Sequence, residues 1–241
     1  MTTKCENCPL RRQSLFLEFS PEEADFMQRF KTGEMQAGPG THLLTQGEKS
    51  PQLFTALSGM GLKYKMLSDG SRQVVGFVMP GDFLGLQAGV MGEMGHSVEA
   101  VTDMTLCVFN RAGIWDLFTS HPERAFAIAH LAAVEEHFLG DALAAVGQRP
   151  AYEKIAWAMA RFFHRAEGTG QVRKNSAPLP YTQQDFADAL GLSLVHTNKQ
   201  LAELRKNGVL SWQQGTLTIH DMEKLEELAG EESHVRERPL V

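Results

Sequence analysis

The residues with the clearest capacity for chemistry are three cysteines and one polar helix. Cys5-Glu6-Asn7-Cys8 sets two thiols two residues apart, and Cys107 stands much further along in Thr105-Leu106-Cys107-Val108. A thiolate is both a nucleophile and a soft metal ligand. A Cys-x-x-Cys pair therefore points to a thiol switch or to part of a zinc site. Cys107, on a strand, also reads as a small apolar core residue. The second feature runs from 182 to 212. Thr182 with Asp185 is a capping-box variant, Phe186, Ala187 and Leu190 give a buried face, and Gly191 permits a left-handed turn. Ser193 caps a second helix that Asn207-Gly208 ends. On it Leu194, Leu201 and Leu204 should face inward, with Thr197 and Gln200 as unusually polar core positions, while Val195, His196, Asn198 and Lys199 face out. Residues 209–212 and 217–219, joined through Gln213-Gln214-Gly215, read as a hairpin wing.

Such a helix fits the major groove of a DNA duplex. Asn198 can make a bidentate pair with adenine, and Lys199 can reach guanine acceptors or a phosphate. Thr182, Gln183, Gln184, Ser193 and His196 suit phosphate oxygens near the helix starts. Double-stranded DNA is the partner these residues imply.

The elements that must hold these groups have distinct textures. Thirteen of the 22 glycines lie between Gly33 and Gly95, separating short strand-like runs at 41–44, 53–58, 62–67, 73–79 and 106–109. Ser68-Asp69-Gly70-Ser71 is a hairpin signal, and many short strands at close spacing read as a barrel or sandwich. After His121-Pro122 the chain becomes alanine-rich with one glycine, Gly140, through 146: a helix roughly 40 Å long at its ordinary rise. Ile128, Leu131, Phe138, Ala142 and Ala145 form a stripe on it, widened by Val134, Leu139, Leu143 and Val146. One stripe can pack on the β-domain and another on a second copy of the helix, so a homodimer is expected, with the first five residues as its candidate contacts. Arg149-Pro150 breaks this helix, and an amphipathic segment follows at 152–165. The expected organisation is a sensory β-domain with its cysteine segment at 1–120, a dimerisation helix at 121–148 and a DNA-binding domain at 149–241, its polar tail from 230 onward frayed.

Net charge is −6, but nine Lys/Arg against five Asp/Glu between 149 and 215 make that region +4 and the remainder −10, so a positive face coincides with the candidate DNA reader. No run approaches the roughly 18–20 apolar residues of a membrane span, no secretory signal opens the chain, and three cysteines fit a reducing cytoplasm better than a disulfide scaffold. A cupin-like metal enzyme would need clustered ligands, and His42 and His96 lie far apart. A thiol oxidoreductase would need a βαβ core behind Cys5 and Cys8. With no nucleophile elbow or phosphate-binding glycine loop either, the chain is not read as an enzyme.

Two further motifs add a family resemblance. Pro80-Gly81-Asp82-Phe83-Leu84-Gly85 resembles the "PGDxxG" turn of the CRP/FNR regulators, and Val195-His196-Thr197-Asn198-Lys199 resembles the "VHVNR" recognition helix of one branch. The chain is similar to that family over nearly its whole length. The resemblance implies an α+β architecture: an N-terminal double-stranded β-roll (a jelly roll like cyclic-nucleotide-binding domains), a long dimerisation helix and a C-terminal winged helix-turn-helix. It implies a homodimer acting on a palindromic site as activator or repressor, with Gly81-Asp82 and neighbours touching RNA polymerase. Where cyclic-nucleotide-responsive members hold phosphate and ribose with Glu and an Arg-Ser pair, this chain has Leu86 and His96-Ser97, so cyclic AMP is not expected as effector. Cys5, Cys8 and Cys107 resemble the iron–sulfur ligands of FNR itself, with Ser14 near the place of the missing cysteine and the fourth ligand unidentified. An oxygen, redox or related small-molecule signal is the expected input. A haem- or nitric-oxide-responsive site, with His42, His96 or His130 as haem ligands, or no effector at all, are the alternatives. FNR carries other residues at the places of Val195, Asn198 and Lys199, so its operator is not transferred.

Overall fold

The computed structural model describes residues 2–18, 20–230 and 234–241. It divides into two compact units, Met1–Ala133 with Glu237–Val241, and Val134–Arg236. The division falls inside the long helix rather than at its ends.

In the first unit, 3-10 turns at Cys5–Asn7 and Pro9–Arg12 lead to β1 (Phe16–Leu17) and α1 (Pro21–Phe30). Ser20 and Glu23 cap α1 with a capping box, a signal that is plain in Ser20-Pro21-Glu22-Glu23. There follow β2 (Lys31–Ala37), β3 (His42–Leu44), β4 (Gln52–Ser58), β5 (Gly61–Met66), β6 (Arg72–Val78), β7 (Phe83–Leu84), α2 (Leu86–Met91), β8 (Ser97–Ala100), β9 (Met104–Asn110), α3 (Ile114–Ser120) and α4 (Pro122–Gln148). They make two four-stranded antiparallel sheets, ordered β2-β9-β4-β7 and β3-β8-β5-β6.

Strand periodicity decides what each face of the first sheet carries. Successive side chains point to opposite faces. Phe54 and Ala56 of β4, with Leu106 and Val108 of β9, enter the core shared with Leu44, Val78 and Val98 of the second sheet. Leu53, Cys107 and Phe109 face the other way, into a cluster with Met27, Ile114, Leu117, Ile128 and Leu131. Helices α1, α3 and the start of α4 thus cover the face on which Cys107 lies.

The Pro80-Gly81-Asp82 turn is tied to β4, Gly81 N–H donating to Ala56 O at 2.7 Å and Ala56 N–H to Asp82 O at 3.0 Å. Gly81 has φ +90°, and a Cβ there would run into the ring of Phe16, so only glycine fits.

The second unit holds the rest of α4, then α5 (Ala151–Gly168), β10 (Ser176–Pro178), α6 (Gln183–Leu190), α7 (Leu194–Lys206), β11 (Leu210–Gln213), β12 (Thr216–Ile219) and α8 (Met222–Ala229). The three strands pair in the order β10-β12-β11. Helix α5 buries a run from Ile155 to Phe163, and α6, α7 and α8 pack on it.

The tail corrects the expectation of fraying. Residues 231–233 lie outside the described residues, but β13 (Arg238–Pro239) pairs in parallel with β1, and Arg238, Leu240 and Val241 are buried. Polar composition hid this because one arginine and two aliphatic residues suffice to dock so short a segment.

Candidate nucleic-acid interface and thiol cavity

Local hydrogen bonds shape the candidate DNA reader. Asp185 N–H donates to Thr182 Oγ1 at 3.2 Å, and Asp185 Oδ2 accepts from Thr182 N–H at 2.8 Å, closing a reciprocal cap on α6. Gly191 then takes the left-handed conformation, φ 63° and ψ 37°, that ends α6 and redirects the chain. Ser193 Oγ accepts from His196 N–H at 3.2 Å and starts α7. At the other end of α7, Asn207 Nδ2 donates to Tyr152 Oη of α5 at 3.0 Å. The wing turns through Gln214 and Gly215, both at positive φ, which matches the twist of a two-residue hairpin. Phe186 meets Trp212 of the wing edge-on, with ring centroids 5.2 Å apart.

Val195, His196, Asn198 and Lys199 are exposed on α7, Val195 to 79%. Thr197, Gln200, Leu201 and Leu204 are buried beneath it. Leu194, expected to face inward, is instead 39% exposed. Among the phosphate candidates, Thr182 and Gln184 are exposed and Gln183 is half-buried. The Thr182 hydroxyl donates to Asp185 Oδ2 at 2.7 Å, and one amide proton of Gln184 goes to Asp188 Oδ1 at 2.6 Å. Ser193 spends only an acceptor on its cap, so its O–H is the hydroxyl best placed to donate to a phosphate.

The three cysteines, so distant in sequence, line one cavity in the first unit together with Leu10, Lys31 and Thr55. Lys31 was not singled out from sequence, and nothing in its neighbours marks it. Its Nζ donates to Glu34 Oε1 and to Thr3 O, each at 2.7 Å, while Thr3 N–H donates to the same Glu34 oxygen at 2.7 Å. These bonds pin the cysteine segment to β2. Burial pushes the Cys107 thiol up to about 11, against the opposing pull of the Lys31 ammonium, and burial likewise raises Cys5. Burial alone would lower Lys31, but its bond to Glu34 and the neighbouring Cys107 hold it above its ordinary value.

This donor set is three thiols and one cation, not the four thiolates of a typical [4Fe–4S] site. Ser14 is exposed and does not line the cavity, and no group of three His, Cys, Asp or Glu side chains among the described residues is disposed to hold a metal ion. The residues present do not fit a four-thiolate cluster.

Helix α4 carries two stripes. Ile128, Leu131 and Ala145 are buried within their own chain, Ala142 is half-buried, and Phe138 lies under the guanidinium of Arg161, 4.6 Å from its ring centroid. Of the expected dimer contacts, Ile128, Leu131 and Ala145 therefore face their own subunit and Phe138 packs against Arg161, while Ala142 keeps part of its surface open. The exposed stripe is Phe126, Ala129, Ala133, Glu136, Gly140, Leu143 and Gly147, offset by two residues and spaced alternately three and four. Two residues are about 200° of helix, hence the opposite side.

Gly81 and Asp82, expected at an RNA polymerase contact, are both buried. Asp82 instead holds Arg238, Nη1 to Oδ1 at 2.6 Å. At the positions compared with a cyclic-nucleotide site, Leu86 is half-buried at the start of α2 and Ser97 Oγ accepts from Gln46 N–H at 3.0 Å. His42 is exposed beside Tyr64, 3.4 Å from its hydroxyl, His96 is half-buried, and His130 meets Phe126 edge-on. No helix among the described residues is long and apolar enough to cross a membrane.

Residues 34–121 match the cyclic nucleotide-binding domain family, and residues 153–228 the Crp-like helix-turn-helix domain family. The nitrogen fixation regulation protein FixK of Rhizobium meliloti is 31% identical over 175 residues, 72% of this chain and 75% of that protein. FixK of Bradyrhizobium diazoefficiens is 27% identical over 225 residues, 93% of each chain. The solved structure of FixK2 from Bradyrhizobium japonicum shares the fold with a TM-score of 0.72 at 22% identity, covering 82% of this chain and 96% of that one. A β-roll, a long helix and a winged helix-turn-helix define a DNA-binding transcription regulator. The chain belongs to the CRP/FNR family.

The α7 packing yields one stability test. Thr197 is 0% exposed and its hydroxyl has no hydrogen-bond partner among the described residues. Thr197→Val, which keeps the shape and removes the stranded donor, should raise stability by about 1 kcal/mol in urea unfolding and leave DNA affinity unchanged. A destabilised variant would show that the hydroxyl is satisfied.

Proposed function

We propose that this regulator binds a palindromic DNA site as a homodimer in the cytoplasm, has no catalytic activity, and responds to a redox signal at its thiol cavity. The functional division is then a sensory domain at 1–120 joined by Glu237–Val241, a dimerisation helix at 121–148 and a DNA-binding domain at 149–236. One observation carries the DNA reading: Val195, His196, Asn198 and Lys199 stand exposed on a capped helix whose other face is buried. With α7 in the major groove, Asn198 and Lys199 read base edges, while Ser193 and the exposed N-terminus of α6 with Gln183 and Gln184 position the phosphates. Whether a promoter is activated, through RNA polymerase, or repressed follows from where the site lies. The polymerase contact must use exposed residues other than Gly81 and Asp82.

The exposed α4 stripe supports the dimer. Its small residues Ala129, Ala133 and Gly140 permit close helix approach, and Phe126 and Leu143 supply apolar area at 72% and 75% exposure. Cys5, Cys107, Ile128 and Leu131 share one packed cluster, so a covalent change at the thiols strains the seat of α4. Two thiols passing two electrons and two protons to a peroxide, released as water, would form a disulfide there. The altered helix pairing changes the spacing of two recognition helices, which must match major grooves about 34 Å apart. Cyclic AMP is not the effector in this reading, since Leu86 and Ser97 offer no cation for its phosphate. A second reading, an iron–sulfur cluster on Cys5, Cys8 and Cys107, is favoured only by the convergence of the three thiols, and needs a ligand from outside the cavity.

Three measurements test these assignments. Asn198→Ala or Lys199→Ala should weaken sequence-selective binding by about 1–3 kcal/mol while the dimer persists, and unchanged selectivity would reject the recognition helix. Leu143→Glu should give a folded monomer by sedimentation, whereas Ile128→Glu should unfold the chain. A dimeric Leu143→Glu protein would place the seam elsewhere. Protein purified without oxygen should be colourless and free of iron and sulfide, with DNA affinity that falls or rises on peroxide treatment. Stoichiometric iron and sulfide would establish the cluster, and affinity indifferent to peroxide would remove the thiol signal.

A further inference from the structure

The segment Glu237–Val241 is built into the first unit by contacts of three kinds. Arg238 Nη1 pairs with Asp82 Oδ1 at 2.6 Å, with both side chains at most 5% exposed. The other carboxylate oxygen, Asp82 Oδ2, accepts from Met79 N–H at 2.9 Å, so the acid is held facing the arginine. The backbone pairs in parallel with β1, Phe16 opposite Arg238 and Leu17 opposite Pro239, and Arg238 N–H donates to Leu15 O at 2.9 Å. Pro239 has no N–H to offer and sits where a strand edge tolerates that loss. Arg124 of α4 donates from Nη1 to Leu240 O at 3.1 Å while its Nη2 pairs with Glu23 at 2.6 Å, and the Thr55 hydroxyl donates to Val241 O. Leu240 and Val241 line the cavity that holds Cys5, Cys8 and Cys107.

We infer that the first unit carries a binding groove for an extended Arg-Pro-aliphatic peptide, and that the chain's own segment Glu237–Val241 occupies it as a strap forming one wall of the thiol cavity. The groove has a carboxylate for the arginine, a free strand edge for the backbone and an apolar hollow for the last side chains. This is peptide capture by strand addition. The buried ion pair makes occupancy close to all-or-none, because a half-released strap would leave a charge buried without its partner. The three thiols are half-buried with the strap in place; its release would expose them further and remove Val241 from the cluster in which Ile128 and Leu131 are seated. The groove and its occupant stand apart from the DNA-binding reading and from the nature of the signal.

Thiol alkylation tests it without reference to DNA. Under reducing conditions, iodoacetamide labelling of Cys107, followed by peptide mass, is compared between the full chain, a chain ending at 236 and Arg238→Glu. Labelling should be about tenfold faster or more in both altered chains. The peptide Glu-Arg-Pro-Leu-Val at about millimolar concentration should slow it again in the shortened chain, and the same peptide bearing Arg238→Glu should not. Equal rates in the full chain and in folded Arg238→Glu would overturn the inference, as would a shortened chain indifferent to the peptide. If neither altered chain folds, the unaltered protein still decides: the Arg238 amide should exchange its hydrogen slowly, and exchange at the rate of a free peptide would sink the strap.

Discussion

A helix can read a groove only if its other side is held rigidly, and that constraint organises the second unit. The polar flank of α7 is useful because Thr197, Gln200, Leu201 and Leu204 are locked beneath it. The lock is set by three local devices: the Thr182–Asp185 cap, the left-handed Gly191 and the Ser193 cap. Each satisfies backbone groups that a helix end would otherwise leave without partners, so the angle between α6 and α7 is fixed by hydrogen bonding as well as by packing. The Phe186–Trp212 contact ties the wing to the same frame.

In the first unit the corresponding constraint is the two-residue period of β9. Leu106 and Val108 go to the core between the sheets, which forces Cys107 onto the face covered by helices. The cysteine segment is drawn there by the buried Lys31, which binds Thr3 O and Glu34 together. The result is a small apolar chamber with three thiols and one ammonium, whose walls include residues that also seat α4. Chemistry at the thiols and the placing of the helix are then one packing problem, since a close-packed interior passes on a displacement instead of absorbing it.

Helix α4 meets two demands with two stripes on opposite sides. The inner one, with Ile128 and Leu131, resembles any amphipathic helix on a core. The outer one is poor in large side chains and rich in alanine and glycine, which suits a helix approaching its own copy more than one facing water.

Read without coordinates, the chain already determined the helix-turn-helix with its caps and wing, the strand-rich first half, the long helix and its break at Arg149-Pro150. These follow from interactions between residues a few positions apart, and such interactions survive in any fold that contains them. Only the tertiary structure decided which stripe of α4 turned inward, because both have the same spacing and the choice depends on what the β-sheet presents. It alone brought Cys107 to Cys5 and Cys8, found Lys31 among them, buried Asp82 and drew Arg238 back across the chain to meet it. Contacts of that kind are set by strand register and sheet packing over long sequence separations, and neither is written in the neighbours of the residues concerned.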